Sequence, residues 1–142
     1  WYRTAEFYYD ARKMHRQKTD EEYADALAEL AGGRDIRAVI VDPAAASFIE
    51  TLRRRGWRVR RADNRVLSGI RLTARLLKAG KLVICPGCGD AIREFALYRW
   101  EEQGDGQDRV KKENDHAMDE IRYFAATVAE RKGGSVYAGC VE

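Results

Sequence analysis

Two stretches of the chain carry acidic side chains placed to bind a ligand or a cation. Asp42 follows the apolar run Ala38-Val39-Ile40-Val41 and precedes Pro43. In open α/β sheets, ligands gather outside the carboxyl ends of strands, so a carboxylate there is placed to bind one. Asp-Pro is also a common helix opening, and an aspartate in that place can cap the helix. One residue can do both. The second stretch is Glu113-Asn114-Asp115-His116-Ala117-Met118-Asp119-Glu120-Ile121-Arg122-Tyr123. On a helix, His116 and Asp119 share a face, and Asp115 lies one turn before Asp119. Two carboxylates and an imidazole so spaced could hold or orient a hard divalent cation, which wants oxygen ligands. The competing role is capping, with Asn114 or Asp115 facing the positive end of the helix. Asp42 and Asp119 could act on one cation only if the fold brings a strand end and a distant helix together.

Two further groups invite a chemical reading. Arg53, Arg54, Arg55, Arg58, Arg60, Arg61 and Arg65 crowd one short segment around Trp57. Such a cluster can neutralise phosphates, or it can be a solvated helix end followed by a charged strand edge. Cys85-Pro86-Gly87-Cys88 has the spacing of a zinc or redox pair. Zinc needs four ligands, and only Cys140 and the two histidines remain, all distant in sequence. A strand-to-helix turn shaped by Pro86 and Gly87 accounts for the segment as well.

The elements that must position these residues follow from periodicity. Trp1 to Tyr9 is aromatic and extended in character, and enters a short charged loop. Thr19-Asp20-Glu21-Glu22 starts a helix whose apolar residues Tyr23, Ala26, Leu27 and Leu30 precede a Gly32-Gly33 stop. Ala38 to Val41 reads as a strand buried on both faces. A helix is expected from about Ala44 to Arg55 with Phe48, Ile49 and Leu52 inward, ending at Gly56. Trp57 to Arg60 is the next strand. Val66 to Lys78 is a helix through Val66, Ile70, Ala74 and Leu77. Lys81 to Ile84 is a strand, and Gly89 to Tyr98 a helix through Ile92, Phe95 and Ala96. Residues 101–114 read as a loop or loose hairpin, and His116 to Arg131 as the last helix, with Ile121, Tyr123, Phe124 and Val128 inward. Strands alternating with helices indicate an α/β fold with parallel pairing. Neither GxGxxG nor GxxxxGK[ST] occurs, which argues against a nucleotide-binding core.

The 142 residues fit one domain. A net charge of +3 is weak evidence for an anionic partner, so the arginine distribution matters more than the total. Three cysteines, an odd number, argue against a disulfide framework and suit a reducing compartment. No apolar run approaches the roughly 20 residues of a membrane span. The opening Trp1-Tyr2-Arg3 lacks the pattern of a secretory signal, and the chain reads as excised from something longer.

The stretch KENDHAMDEIRY (112–123) resembles the final motif of phage terminase large subunits, of the form DHxxDAxRY. VDPAAASFIETLRRRG (41–56) resembles the middle motif of the same nucleases. Residues 62–70, 80–84 and 93–100 fall, in order, where that family has its loop, helix and strand and a further helix, so the resemblance covers nearly the whole chain. It implies a C-terminal nuclease domain with a ribonuclease H-like mixed sheet flanked by helices. It further implies a start at the second strand of that sheet, without the first strand, its catalytic aspartate or the preceding ATPase domain. Glu6 is not expected to replace that aspartate, so metal binding and cutting by the fragment are expected to be weak. Carried over, Asp42 takes the middle acidic role, Asp119 the final one, and His116 sits beside the metal site. Asp115 is a cap or outer ligand. The implied cofactor is a pair of Mg²⁺ or Mn²⁺ ions. The implied substrate is concatemeric double-stranded DNA, contacted by Arg53, Arg54, Arg58 and Arg60. The implied partners are the terminase small subunit and the portal protein, in the host cytoplasm, with no membrane. A non-catalytic DNA-binding or docking module, or another ribonuclease H-like nuclease such as a resolvase, is compatible with the same acids.

Overall fold

The protein was analysed as a computed structural model that describes residues 1–97, 115–129 and 138–140. The expected loop at 101–114 and the end of the last helix lie outside these residues. The elements run β1 (Tyr2–Arg3), α1 (Ala11–Met14), α2 (Asp20–Ala31), β2 (Ala38–Val41), α3 (Ala46–Arg54), β3 (Val59–Arg61), α4 (Val66–Lys78), β4 (Val83–Ile84), α5 (Gly89–Leu97), α6 (His116–Phe124), a π-helix (Ala125–Ala129) and β5 (Ala138–Cys140). The strands form two small sheets, β1-β4 and β3-β2-β5. Every described pairing is parallel, where a mixed sheet was expected. Helices flank both sheets, giving an α/β architecture consistent with a ribonuclease H-like fold. An apolar groove of about 420 Å³, lined by Trp1, Leu27, Ile36, Leu82, Ile121 and Phe124 among others, runs beside β1.

Local chemistry explains where the elements begin and stop. Thr19 Oγ1 accepts from the Glu22 N–H at 3.2 Å, and the Glu22 carboxylate accepts from the Thr19 N–H at 2.9 Å. This reciprocal box satisfies two donors that the first turn of α2 would otherwise leave orphaned. Gly32, at φ 56°, ends α2 in a left-handed conformation that a side chain would resist. The expected first strand is much shorter than Trp1 to Tyr9, because only Tyr2 and Arg3 find a ladder partner. The charged loop after it contains α1.

β2 organises the core. Its four residues are all buried, and successive side chains point to opposite faces. Val39 and Val41 pack with Leu27 of α2 and with Phe48, Ile49 and Leu52 of α3. Ile40 faces the other way, against Ala62, Tyr123 and Val128. Burying each such aliphatic side chain stabilises by roughly 1.5–3 kcal/mol, which fixes the strand between its two layers. A third cluster joins α4, α5 and α6 through Leu72, Leu76, Ala91, Met118 and Ile121.

Two helices turn a different face inward from the one their apolar residues suggest. On α4 the buried residues are Gly69, Leu72, Thr73 and Leu76, while Val66 is 46% exposed. The expected stripe through Val66, Ile70, Ala74 and Leu77 is rotated because Gly69 lies at the crossing with α6. On α5, Ile92 and Phe95 face outward, and the buried side chains are Ala91 and Glu94. The reason is polar: Glu94, wholly buried, accepts hydrogen bonds from two backbone N–H groups of α6.

Candidate active site

The parity of β2 sends Asp42 toward α6. Ile40 faces that side, and residue 42 shares its parity, one step beyond the strand end. One carboxylate oxygen, Oδ1, accepts from the Ala44 N–H at 2.8 Å. The other accepts from the Tyr123 hydroxyl. Asp42 therefore caps a turn rather than the helix. Pro43 and Ala44 lie in that turn, and α3 starts at Ala46 with no side-chain cap. The turn-capping role and a bond to α6 coexist in one residue.

Asp119 lies one turn before Tyr123 on α6, so the two share a face. Arg122 locks it. The guanidinium donates to Asp119 Oδ1 from Nε at 3.1 Å and from Nη2 at 2.8 Å, and to the Asn64 carbonyl from Nη1 at 2.9 Å. Burial alone would lower the pKa of Arg122, but the hydrogen bond and charge of Asp119 outweigh it and raise the pKa. The same guanidinium lies 4.6 Å from the centroid of the Tyr123 ring. At Gly69 the two helices touch: an added Cβ would stand 2.6 Å from Arg122 Cγ. Glycine is required there by contact, not by backbone conformation.

Tyr123 thus joins the two acids. Its phenol is pushed above the ordinary range by burial first, then by the hydrogen bond to Asp42, and by the charges of Asp119 and Asp42. Asp42, far away in sequence, bonds this buried hydroxyl, and Asp119 lies one turn before it on the same face of α6. Tyr123 stays protonated, and therefore a donor, at any working pH.

The remaining expected residues are dispersed. Asp115 stands at the N-cap of α6, but its side chain makes no cap bond there. Its place is taken by Glu94, whose Oε2 accepts from Ala117 N–H at 2.7 Å and Met118 N–H at 3.3 Å. Tyr8 donates to Glu94 Oε1 at 2.9 Å, and burial followed by that bond pushes the Tyr8 phenol up to about 12. His116 is exposed on the first turn of α6, edge-on to Tyr8 with ring centroids 6.1 Å apart. Glu6 accepts from the Asp90 and Ala91 N–H groups at the start of α5. Among the described residues, no group of three or more His, Cys, Asp and Glu side chains stands close enough to hold a metal ion. Asp42, Asp119 and Asp115 are therefore not a preformed three-ligand set. What the structure offers is a pair of carboxylates, hard oxygen donors suited to Mg²⁺ or Mn²⁺. Asp119 Oδ2 carries no protein hydrogen bond among those found, and it is the better placed donor.

Residues 85–88 form a turn. The Cys88 N–H bonds the Cys85 carbonyl at 2.9 Å, and the buried Cys88 thiol donates to the Arg3 carbonyl at 3.3 Å. Burial raises that thiol, which makes it a poor nucleophile. The arginines divide between two ends of the fold. Arg53 and Arg54 end α3, and Arg54 and Arg55 pair with Glu21 of α2. They stand at the far end of the nine-residue α3, whose start follows Asp42, so roughly 10 Å of helix at about 1.5 Å per residue lies between. Arg58 is exposed before β3. Arg60, within β3, donates to the Thr127 carbonyl at 3.1 Å, beside the acids. Sequence reading overlooked Tyr123, Arg122 and Glu94. The spacing of Asp119 and Tyr123 was an available signal for the first.

The fold recurs in solved structures. The chain matches the large terminase from the thermophilic bacteriophage D6E in complex with ADP at 40% identity and TM-score 0.88, over 91% of this chain and 33% of that one. Two further structures of the same terminase, in different crystal forms, give 40% identity with TM-scores of 0.88 and 0.87. This chain spans about a third of the length of those proteins. No family model and no curated protein matches it. No helix among the described residues is long and apolar enough to cross a membrane.

Proposed function

We propose that this chain is the nuclease part of a phage terminase large subunit, cutting concatemeric double-stranded DNA by metal-dependent phosphodiester hydrolysis. The observation that carries the reading is the bond from Tyr123 to Asp42, which brings the end of β2 to the helix face that also bears Asp119. Similarity to the phage D6E terminase supports it from outside.

Each residue has a task. Asp42 and Asp119 would hold the divalent ions, Mg²⁺ or Mn²⁺, together with acids beyond this pair. The chemistry supplied by such ions, when bound, is activation of a water and neutralisation of the leaving oxygen. Tyr123 fixes one oxygen of Asp42, and Arg122 fixes one of Asp119, so the carboxylates are oriented before a cation arrives. His116, exposed near the same helix end, is placed to reach solvent-side groups of a substrate. In the packaging machine the partners would be the small subunit and the portal, in the host cytoplasm.

The test uses the full natural chain. Supercoiled plasmid should be cut with Mg²⁺ or Mn²⁺, and Asp42→Asn or Asp119→Asn should abolish cutting and weaken Mn²⁺ binding by calorimetry. Undiminished cutting by both variants overturns the reading. A second reading, DNA binding without cutting, draws on the lack of a three-ligand group among the described residues. Tight duplex binding with no cleavage in the full chain would select it.

A further inference from the structure

A second feature adjoins the acid pair. Beside the C-terminal end of β3 lies a cleft of about 520 Å³ lined by Arg60, Arg61, Ala62, Asp63, Arg65, Ala126 and Thr127. It lies one strand over from the end of β2 that carries Asp42: Arg61 is the ladder partner of Val41, and the Ala62 N–H donates to the Val41 carbonyl at 2.8 Å. Its polar lining is built rather than incidental. Thr127 acts twice: its Oγ1 accepts from the Asp63 N–H at 2.9 Å, and its carbonyl accepts from Arg60 at 3.1 Å. Thr127 belongs to the π-helix that continues α6. Such wider turns inside helices cluster at functional sites. Here the wider turn directs one residue to clamp both rims of the cleft.

The charges within the cleft are unequal. Asp63 is matched by Arg65, which donates to its two oxygens from Nε at 2.9 and 3.1 Å. The Arg65 hydrogen bonds hold the Asp63 carboxyl down at about 2, so it remains charged and paired. Arg60 and Arg61 are left over: three arginines less one aspartate is a net charge of +2. Arg60 is half-buried and held by Thr127, whereas Arg61 is exposed and makes no ion pair among the described residues. A planar guanidinium fork suits a phosphate, which it can meet through two parallel N–H bonds.

We propose that this cleft seats a backbone phosphate of duplex DNA next to the scissile one, with Arg61 as the contact and Arg60 and Thr127 as its support. The assignment rests on the nuclease reading for the identity of the polymer. It relocates the working arginines from the end of α3, where Arg54 and Arg55 are spent on α2, to the end of β3. A phosphate held there would fix the register of the strand against Asp42 and Asp119.

The experiment is a salt titration of duplex binding, by fluorescence anisotropy, in the full natural chain carrying Asp42→Asn so that cutting does not interfere. Arg61→Ala should lower affinity and reduce the slope of log K against log salt by about 0.9, the value for one phosphate contact. Arg61→Lys should restore most of the slope, and the pair Arg53→Ala and Arg54→Ala should leave it unchanged. Because Arg61 is exposed, its loss does not threaten folding. An unchanged slope in Arg61→Ala overturns the proposal, as does a loss confined to the α3 pair. Should Asp42→Asn still cut plasmid, the nuclease reading falls, while the slopes still decide whether the cleft binds phosphate.

Discussion

Gly69→Ala is the sharpest probe of how Asp119 is held. The added methyl would stand 2.6 Å from Arg122 Cγ and 3.1 Å from Cδ. Carbon atoms rest at about 3.5–4.0 Å, so the Arg122 stem must retreat by about an ångström. Swinging the guanidinium end gives no relief, since Cγ sits close to the backbone. The side chain has nowhere to go: Arg122 is 4% exposed and tied to Asp119 and the Asn64 carbonyl. A shift of that size takes those bonds out of range. Overpacking costs about 1–3 kcal/mol, and a lost hydrogen bond between charged groups about 1.5–3 kcal/mol. Alanine's helical preference over glycine returns only about 0.5–1 kcal/mol. The net expectation is a loss of about 1.5–5.5 kcal/mol, read from urea denaturation. Cleavage should fall by about 100-fold, since misplacing a catalytic group by about 1 Å has that effect. A double-mutant cycle isolates the cause: in an Arg122→Ala background, Gly69→Ala should become neutral or stabilising. A single variant more stable than the parent, or an equal penalty in both backgrounds, refutes the reasoning.

Other outcomes follow from the same geometry. Tyr123→Phe removes the donor to Asp42 and should cost about 1.5–3 kcal/mol of stability, with cleavage reduced further than the loss of folded protein explains; equal effects on both would make Tyr123 merely structural. Glu94→Gln should lower the melting temperature and deprotect the first-turn amides of α6 to hydrogen exchange, because a charged acceptor of the Ala117 and Met118 N–H groups is lost. Tyr8, raised from 10.0 to about 12, contributes stability that is fully present below pH 10 and disappears as pH climbs toward 12. Absorbance of tyrosinate should show this late titration, Tyr8→Phe should flatten the alkaline loss, and ordinary titration of every tyrosine would contradict it. Thiol reagents should modify native Cys85 faster than Cys88, whose buried thiol is raised.

Much of the fold was legible where local signals are strong. β2 and α4 have the expected bounds, because a continuous aliphatic run and a capless amphipathic stretch each end on unambiguous residues. α2 follows its capping box and Gly32. Inward faces were harder to read. Counting apolar residues on α5 selects Ile92 and Phe95, yet a glutamate faces the core because unsatisfied N–H groups of another helix need it. That demand comes from tertiary structure, and no window of neighbouring residues contains it. The site shows the same limit. Asp42 and Asp119 stood out by type and position, but Tyr123 was read only as a core aromatic, though it shares Asp119's face. The arginine cluster, contiguous in sequence, is divided because α3 reverses the chain between Asp42 and Arg53.

α6 contributes Met118 and Ile121 to one packed cluster and Tyr123 to another. Asp119 therefore travels with the α4-α5 side of the molecule, and Asp42 with β2, whose Val39 and Val41 pack on α2 and α3. Their meeting point is a seam between two packed clusters, bridged by the small cluster of Ile40, Ala62, Tyr123 and Val128 and fastened by the Tyr123 phenol. Warming that loosens the seam would part the acids while each region keeps its interior, so catalytic output should fade at temperatures below the main melting transition.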